Sequence, residues 1–264
     1  MASQRSLCCR LADKAMNVYV LEQCVTEVPP HDEWLSAREV ECLNRMRFEK
    51  RRTDWRLGRW TAKFALACYF HLSVDDECLA EIEIRPEPSG APVVFLAGKA
   101  SDISVSLSHR AGRAICAVGE SGAALGCDLE IIEERSDAFV ADYFTAEEQK
   151  FVAHSKPEDR SKLLALFWSA KESVLKAQRI GLRQDTRCLA VDLVRSELRE
   201  PDRDFVSLTK WSREWHPLQV NLGEQAFAGW WQCTRTRMIT VIGAPSPCIP
   251  ISLGFESHRP HQLV

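Results

Sequence analysis

Apolar residues recur at helical spacing in two long stretches of the chain and alternate with polar ones at strand spacing in several shorter ones. From Ser36 through His71, Leu57, Trp60, Phe64 and Cys68 fall three and four residues apart, which lays one apolar stripe along a helix. A second helical stretch runs from about Asp159 to Arg179, with Gly181 suited to its C-terminal stop. Thr145 followed three residues later by Glu148 is a capping-box signature, opening a shorter helix through about Ala153, although Glu148 could equally serve a site. Within residues 14–25, Val18-Tyr19-Val20-Leu21 reads as a first strand, ended by Pro29-Pro30. Pro86-Glu87-Pro88-Ser89-Gly90-Ala91-Pro92 is punctuated as a surface turn, with Val93 to Leu96 extended after it. Ser104 to Ser108 alternates small polar with apolar residues, and Ala114 to Val118 pairs with it through Arg110-Ala111-Gly112-Arg113 as a hairpin turn. Leu125 to Ile132 is a further strand, and Cys188 to Val194, Ala226 to Cys233 and Met238 to Gly243 are expected to pack on the second long helix.

This order of elements predicts an α+β (α/β) architecture. Glu120-Ser121-Gly122-Ala123 is short, polar and glycine-containing, and marks a boundary between halves 1–122 and 123–264 with no clear sequence repeat across it. With 264 residues, 45% hydrophobic and 27% charged, the chain can bury a real core. The N-terminus lacks the apolar stretch of a signal peptide and there is no run of 18 apolar residues, so a cytoplasmic protein without membrane attachment is expected. Eleven cysteines, an odd number with no Cys-x-x-Cys spacing and an adjacent Cys8-Cys9 pair, read as reduced thiols rather than a disulfide framework or zinc site. His258-Arg259-Pro260-His261 reads as a mobile tail and not as a metal site.

A net charge of −3 gives no global attraction to nucleic acid, yet residues 38–63 hold nine Lys or Arg against four Asp or Glu. Arg52, Arg56, Arg59 and Lys63 superpose on one helix face, as either a solvated basic face or an anion site. Glu172 and Lys176 stand four residues apart on one face of the second helix, which taken alone is an ordinary ion pair. Asp128 and Glu130 point to the same side of a strand, where two like charges are unfavourable unless a cation joins them. Carboxylate oxygens without neighbouring His or Cys ligands suit Mg²⁺, with Mn²⁺ as the alternative ion, filled out by water and substrate phosphates. A diphosphate carrying a further phosphate would engage both the metal and the arginines, and coenzyme A is such a molecule.

Leu125-Gly126-Cys127-Asp128-Leu129-Glu130 resembles the Gly-x-Asp-x-Glu motif of the 4′-phosphopantetheinyl transferases, and Phe167-Trp168-Ser169-Ala170-Lys171-Glu172-Ser173-Val174-Leu175-Lys176 resembles their Trp-x-x-Lys-Glu-x-x-x-Lys motif. Ser106-Leu107-Ser108-His109 is similar to the Asn-x-Ser-His segment, and Trp55-Arg56-Leu57-Gly58-Arg59 to the N-terminal Leu-x-Gly-Arg helix, so the resemblance spans roughly residues 34 to 182. It implies the surfactin-synthetase type of fold, two similar subdomains related by a pseudo-twofold axis in a monomer, with coenzyme A in the cleft between them. It also implies transfer of 4′-phosphopantetheine to a serine of an acyl or peptidyl carrier protein, releasing adenosine 3′,5′-bisphosphate. On this resemblance Asp128, Glu130 and Glu172 hold the metal. Asp128, Glu172 and Lys176 form the catalytic set, with Glu172 as base and Lys176 stabilising the departing phosphate. Coenzyme contacts fall to Ser108, His109, Lys171, Lys176 and the Arg52, Arg56, Arg59 stripe. Two departures stand out: Ser106 replaces the usual Asn, and Gly90-Ala91-Pro92 lacks the Lys that many relatives carry in that turn.

Two other readings compete. A Mg²⁺-dependent nuclease uses similar carboxylate and lysine groups, but the acidic total charge disfavours it. A non-catalytic module that binds carrier protein or coenzyme A is the other, though every charged motif residue is present.

Overall fold

The computed structural model describes residues 15–193 and 214–253. The readings made for residues 1–5, for Cys8-Cys9, for Val194 and for the tail at His258 to His261 lie outside them.

The chain opens with β1 (Val18–Cys24), α1 (Ala37–Asn44), α2 (Glu49–Tyr69) and α3 (Asp76–Ala80). Strands β2 (Ile82–Pro86), β3 (Pro92–Leu96), β4 (Lys99–Ser101), β5 (Ser104–Arg110), β6 (Arg113–Gly119) and β7 (Ala124–Ile131) follow. Then come α4 (Asp137–Tyr143), α5 (Ala146–Ala153) and α6 (Pro157–Ala177), and finally β8 (Leu189–Asp192), β9 (His216–Leu222), β10 (Gln225–Cys233), β11 (Arg237–Ala244) and β12 (Ile251–Ser252). Among the described residues these strands form a four-stranded sheet β12-β1-β6-β5, a five-stranded sheet β7-β11-β10-β9-β8 and a small sheet β2-β3-β4. No helix among them is long and apolar enough to cross a membrane.

Side-chain alternation on the two larger sheets explains the layering. On β6, Cys116 and Val118 face the core under α2, while Ile115 and Ala117 face the other way. They meet Cys127 and Leu129 of β7 and Val241 of β11 in a dry layer between the sheets. The opposite face of the second sheet packs on α6 through Leu166, Phe167, Ala170 and Val174. The order is thus helix, sheet, sheet, helix, with one apolar layer at each of the three junctions. The first sheet also takes a strand from the far end of the chain, since β12 pairs parallel with β1.

The hairpin expected at Arg110–Arg113 forms, with Ala111 and Gly112 both at positive φ (49° and 72°), the arrangement of a two-residue turn that matches strand twist. Two expectations need correction. The single helical run from Ser36 to His71 is broken at residues 45–48, where α1 closes at Arg45 and Phe48 takes an extended conformation before α2 begins. Helix α6 also ends before Gly181: Arg179 itself takes the left-handed conformation at φ 56°, and Ile180 N–H returns to Leu175 O at 3.1 Å.

One bonding arrangement occurs twice. Glu39 caps Ser36 N–H, accepts Ile84 N–H of β2 at 3.2 Å, and pairs at 2.5 Å with Lys63 of α2. The fully buried Lys63 also donates to the carbonyls of Trp34 and Leu79. In the second half Glu148 caps Thr145 N–H, accepts Val191 N–H of β8 at 2.9 Å, and pairs at 2.7 Å with Lys171 of α6. The fully buried Lys171 donates to the carbonyls of Tyr143 and Thr186. Burial pulls both lysines below the ordinary range, and the paired glutamates act against that shift. Each glutamate thereby joins a capped helix, a strand edge and the long helix through one carboxylate.

Removing one partner of such a pair leaves a buried charge uncompensated, at a cost of about 3–5 kcal/mol. Glu148→Ala should lower the urea midpoint accordingly, whereas breaking the exposed Asp185–Arg187 pair should leave the midpoint nearly unchanged. Equal small losses in the two variants would remove Glu148 from this role.

Candidate functional site

Strand β7 and helix α6 approach unusually closely, and Gly126 permits it. A β-carbon there would sit 1.8 Å from Ser173 O and 2.8 Å from Ala177 N of α6. Two residues further along the same face, Asp128 reaches Lys176, whose Nζ lies 2.7 Å from Asp128 Oδ1 and 3.1 Å from Cys127 O. Another two residues on, Glu130 Oε1 accepts the Trp168 indole N–H at 3.2 Å. On the adjoining strand Thr240 sits opposite Asp128 and hydrogen-bonds Ser169 and Ser173 of α6 at 2.9 and 2.7 Å. The glycine and the two acids thus occupy alternate positions facing one helix, which is the physical content of the Gly-x-Asp-x-Glu spacing.

Glu172 stands between these groups, 3.9 Å from Lys176 Nζ. Burial, followed by the charges of Asp128 and Glu130, outweighs Lys176 and raises its pKa from 4.5 to about 7. Glu130 is raised too, first by burial and then by Asp128, with Arg135 opposing at 2.9 Å. Burial works against the Lys176 ammonium, but Asp128, Cys127 and Glu172 prevail and raise it.

A hard divalent cation fits this donor set. Asp128 is 2% exposed and its Oδ2 has no hydrogen-bond partner, while Glu172 is crowded by like charge that a cation would relieve. Among the described residues, however, no three His, Cys, Asp or Glu side chains already converge as a metal shell. Lys176 and Ser108 occupy Asp128 Oδ1, and Arg135 occupies Glu130 Oε2.

Beside the carboxylates lies a cleft of about 380 Å³ between the two larger sheets' elements, lined by Arg59 and His109 on one side and by Lys176 and Arg179 on the other, with the Ser89-Gly90-Ala91-Pro92 turn at its edge. His109 is held below its ordinary pKa by burial, with Asp54 opposing and Lys176 adding to the effect. Burial also lowers Arg59, which stacks on Trp55 at 4.8 Å and lies 3.5 Å from Glu39.

Several expected coenzyme contacts sit elsewhere. Lys171 is fully enclosed with Glu148, because it lies on the α6 face turned from the cleft. Arg52 donates to Leu43 O, and Arg56 donates to Pro29 O and His31 O and pairs with Asp32. Of the basic stripe only Arg59 faces the cleft; the other members fasten α2 to α1 and to the loop before it. Ser108 donates to Asp128 Oδ1 at 2.7 Å, and Ser106 Oγ accepts Cys127 N–H at 2.9 Å, so β5 braces the acid-bearing strand. Sequence reasoning missed Arg135 and Arg179 as site residues. Arg135 lies in an irregular segment without periodicity, and Arg179 reads only as the last residue of a helix.

Residues 124–233 match the family model described as the 4′-phosphopantetheinyl transferase superfamily. Over 150 residues the chain is 27% identical to the 4′-phosphopantetheinyl transferase HetI of Nostoc sp., covering 56% of this chain and 61% of that protein, so the chain spans about three fifths of this curated relative's length. It is also similar, at 20% identity and a TM-score of 0.33, to a holo-(acyl-carrier-protein) synthase from Bacillus anthracis str. Ames solved in complex with CoA (3′,5′-ADP), over 40% of this chain and 96% of that one.

Because the folded protein keeps the Glu172 proton up to about pH 7 while an unfolded glutamate loses it near 4.5, stability without divalent cation should decline as pH rises through that window. The upper bound is about 3.4 kcal/mol. Glu172→Gln should flatten the decline, so that it gains on the wild type between pH 5 and pH 8 in metal-free urea unfolding; parallel profiles would contradict the assignment.

Proposed function

We propose, for a chain whose residues 124–233 match the family model of the 4′-phosphopantetheinyl transferase superfamily, that it transfers 4′-phosphopantetheine from coenzyme A to a serine of an apo acyl or peptidyl carrier protein. The observation that carries this reading is the junction of β7 and α6, where Asp128, Glu130, Glu172 and Lys176 meet at the side of the cleft.

In this reading the serine hydroxyl attacks the phosphorus that bears pantetheine, the bond from that phosphorus to the bridging oxygen breaks, and adenosine 3′,5′-bisphosphate leaves. Glu172 takes the serine proton, directly or through one water; a bound cation would relieve the like charge that raises it in the metal-free protein and leave the carboxylate ionised to act as the base. Lys176, held in place by Asp128 Oδ1 and Cys127 O, balances the negative charge that grows on the leaving phosphate. Asp128, Glu130 and Glu172 would hold Mg²⁺ or Mn²⁺, which when bound neutralises part of the diphosphate charge. Ser108 orients Asp128. His109 and Arg59 are suited to the nucleotide's 3′-phosphate, which would favour the charged imidazole that burial disfavours.

The division at 122/123 into two pseudo-twofold subdomains belongs to the same proposal, supported by the duplicated Glu39–Lys63 and Glu148–Lys171 arrangements. Since one chain supplies both walls of the cleft, a monomer would suffice. A cytoplasmic setting agrees with the nine cysteines that are free thiols among the described residues.

Incubation with CoA, Mg²⁺ and a panel of apo carrier proteins should add the phosphopantetheine mass to at least one carrier. Lys176→Ala should slow that transfer by roughly 10²-fold or more, as expected when a group stabilising transition-state charge is removed. A panel in which every carrier keeps its apo mass would refute the reading.

A further inference from the structure

We propose that Arg179 is a phosphate-binding residue of the cleft, held by Glu87 until an anionic ligand draws it away. This rests on the proposed function only for the identity of the ligand.

The starting point is backbone geometry. Helix α6 ends with Arg179 N–H returning to Lys176 O and Ile180 N–H returning to Leu175 O, a closure that needs a left-handed residue. Arg179 supplies it at φ 56°, a conformation that a side chain disfavours and glycine does not. Glycine would therefore end this helix more cheaply than arginine.

The visible partner does not account for the choice. Arg179 Nη1 lies 3.0 Å from Glu87 Oε1, and the arginine side chain is 51% exposed; solvent-exposed pairs of this kind contribute little to stability. The position of the guanidinium does account for it. Arg179 lies just past the end of α6, three residues after Lys176, and lines the same cleft. Across from it, the turn from Pro86 to Pro92 contributes no Lys or Arg and only one charged residue, Glu87. A phosphate lodged between that turn and Lys176 would meet Arg179 as its cation, and a guanidinium can grip phosphate oxygens through two parallel hydrogen bonds. Glu87 is the competing anion. Its bond to Arg179 must break on binding, so it restrains the guanidinium at the cleft edge and weakens ligand affinity.

The test is calorimetric titration of the full chain with CoA in the presence of Mg²⁺, alongside thermal melts. Arg179→Gly should weaken CoA binding roughly tenfold or more, the loss of a charge-assisted hydrogen bond, while melting at the wild-type temperature or above it. Arg179→Lys should retain part of the affinity, and Glu87→Gln should tighten binding about two- to fivefold, consistent with release of an exposed pair. Unchanged affinity in Arg179→Gly would overturn the proposal, and unchanged or weaker affinity in Glu87→Gln would overturn the restraining role of Glu87. If the wild-type chain binds no CoA, it is the coenzyme reading that falls. The same comparison with inorganic pyrophosphate then decides Arg179, equal or absent binding by wild type and Arg179→Gly overturning its role.

Discussion

The close approach of β7 to α6 is the constraint on which the site depends. Without a side chain at Gly126, the backbone of α6 lies against the strand near Ser173 and Ala177, and everything one and two strand repeats further along is brought within reach of helix side chains. Asp128 meets Lys176 and Glu130 meets Trp168 for that reason. The polar contacts of Thr240 with Ser169 and Ser173 add direction to a junction that apolar packing alone would leave free to slide. The high pKa of Glu172 follows from the same closeness, because burial and the charges of Asp128 and Glu130 together outweigh Lys176.

The two enclosed lysine–glutamate pairs act at a longer range. Each sits where a short capped helix, a strand edge and a long helix come together, and each offers more hydrogen-bond partners than an apolar side chain of similar size could satisfy. Buried pairs of this kind contribute less through net attraction than through the penalty for every arrangement that leaves them unmatched. They therefore set the register of α2 and α6 against their sheets, and with it the height at which Arg59 and Lys176 stand in the cleft.

Much of this was legible in the residue pattern. Period-two alternation located β5, its hairpin partner β6 followed from the turn between them, apolar content located β7, and the capping box at Thr145 gave the start of α5. The motif around Glu172 identified the helix that carries the site. What failed did so for identifiable reasons. Charge on a helix face does not say whether the charge meets solvent, a ligand or another part of the chain, and for Arg52, Arg56 and Lys171 the answer is backbone carbonyls and acids brought in by tertiary structure. Short strands such as β4 and β12, and the helices α1 and α3, carry too few periods to separate from loops. Glycine was the expected helix stop, and the actual stop is an arginine whose conformation no propensity favours.

The pairing of β12 with β1 has a mechanical consequence. Two blocks joined by a single linker can swing about it like a door, whereas here the loop between β6 and β7 is one attachment and the returning C-terminal segment, bonded to Met16 and Val20, is a second. A plate fixed along two edges twists but does not swing. The two walls of the cleft are accordingly tied along two edges, and the placement of Arg59 and Lys176 across it is held from both sides.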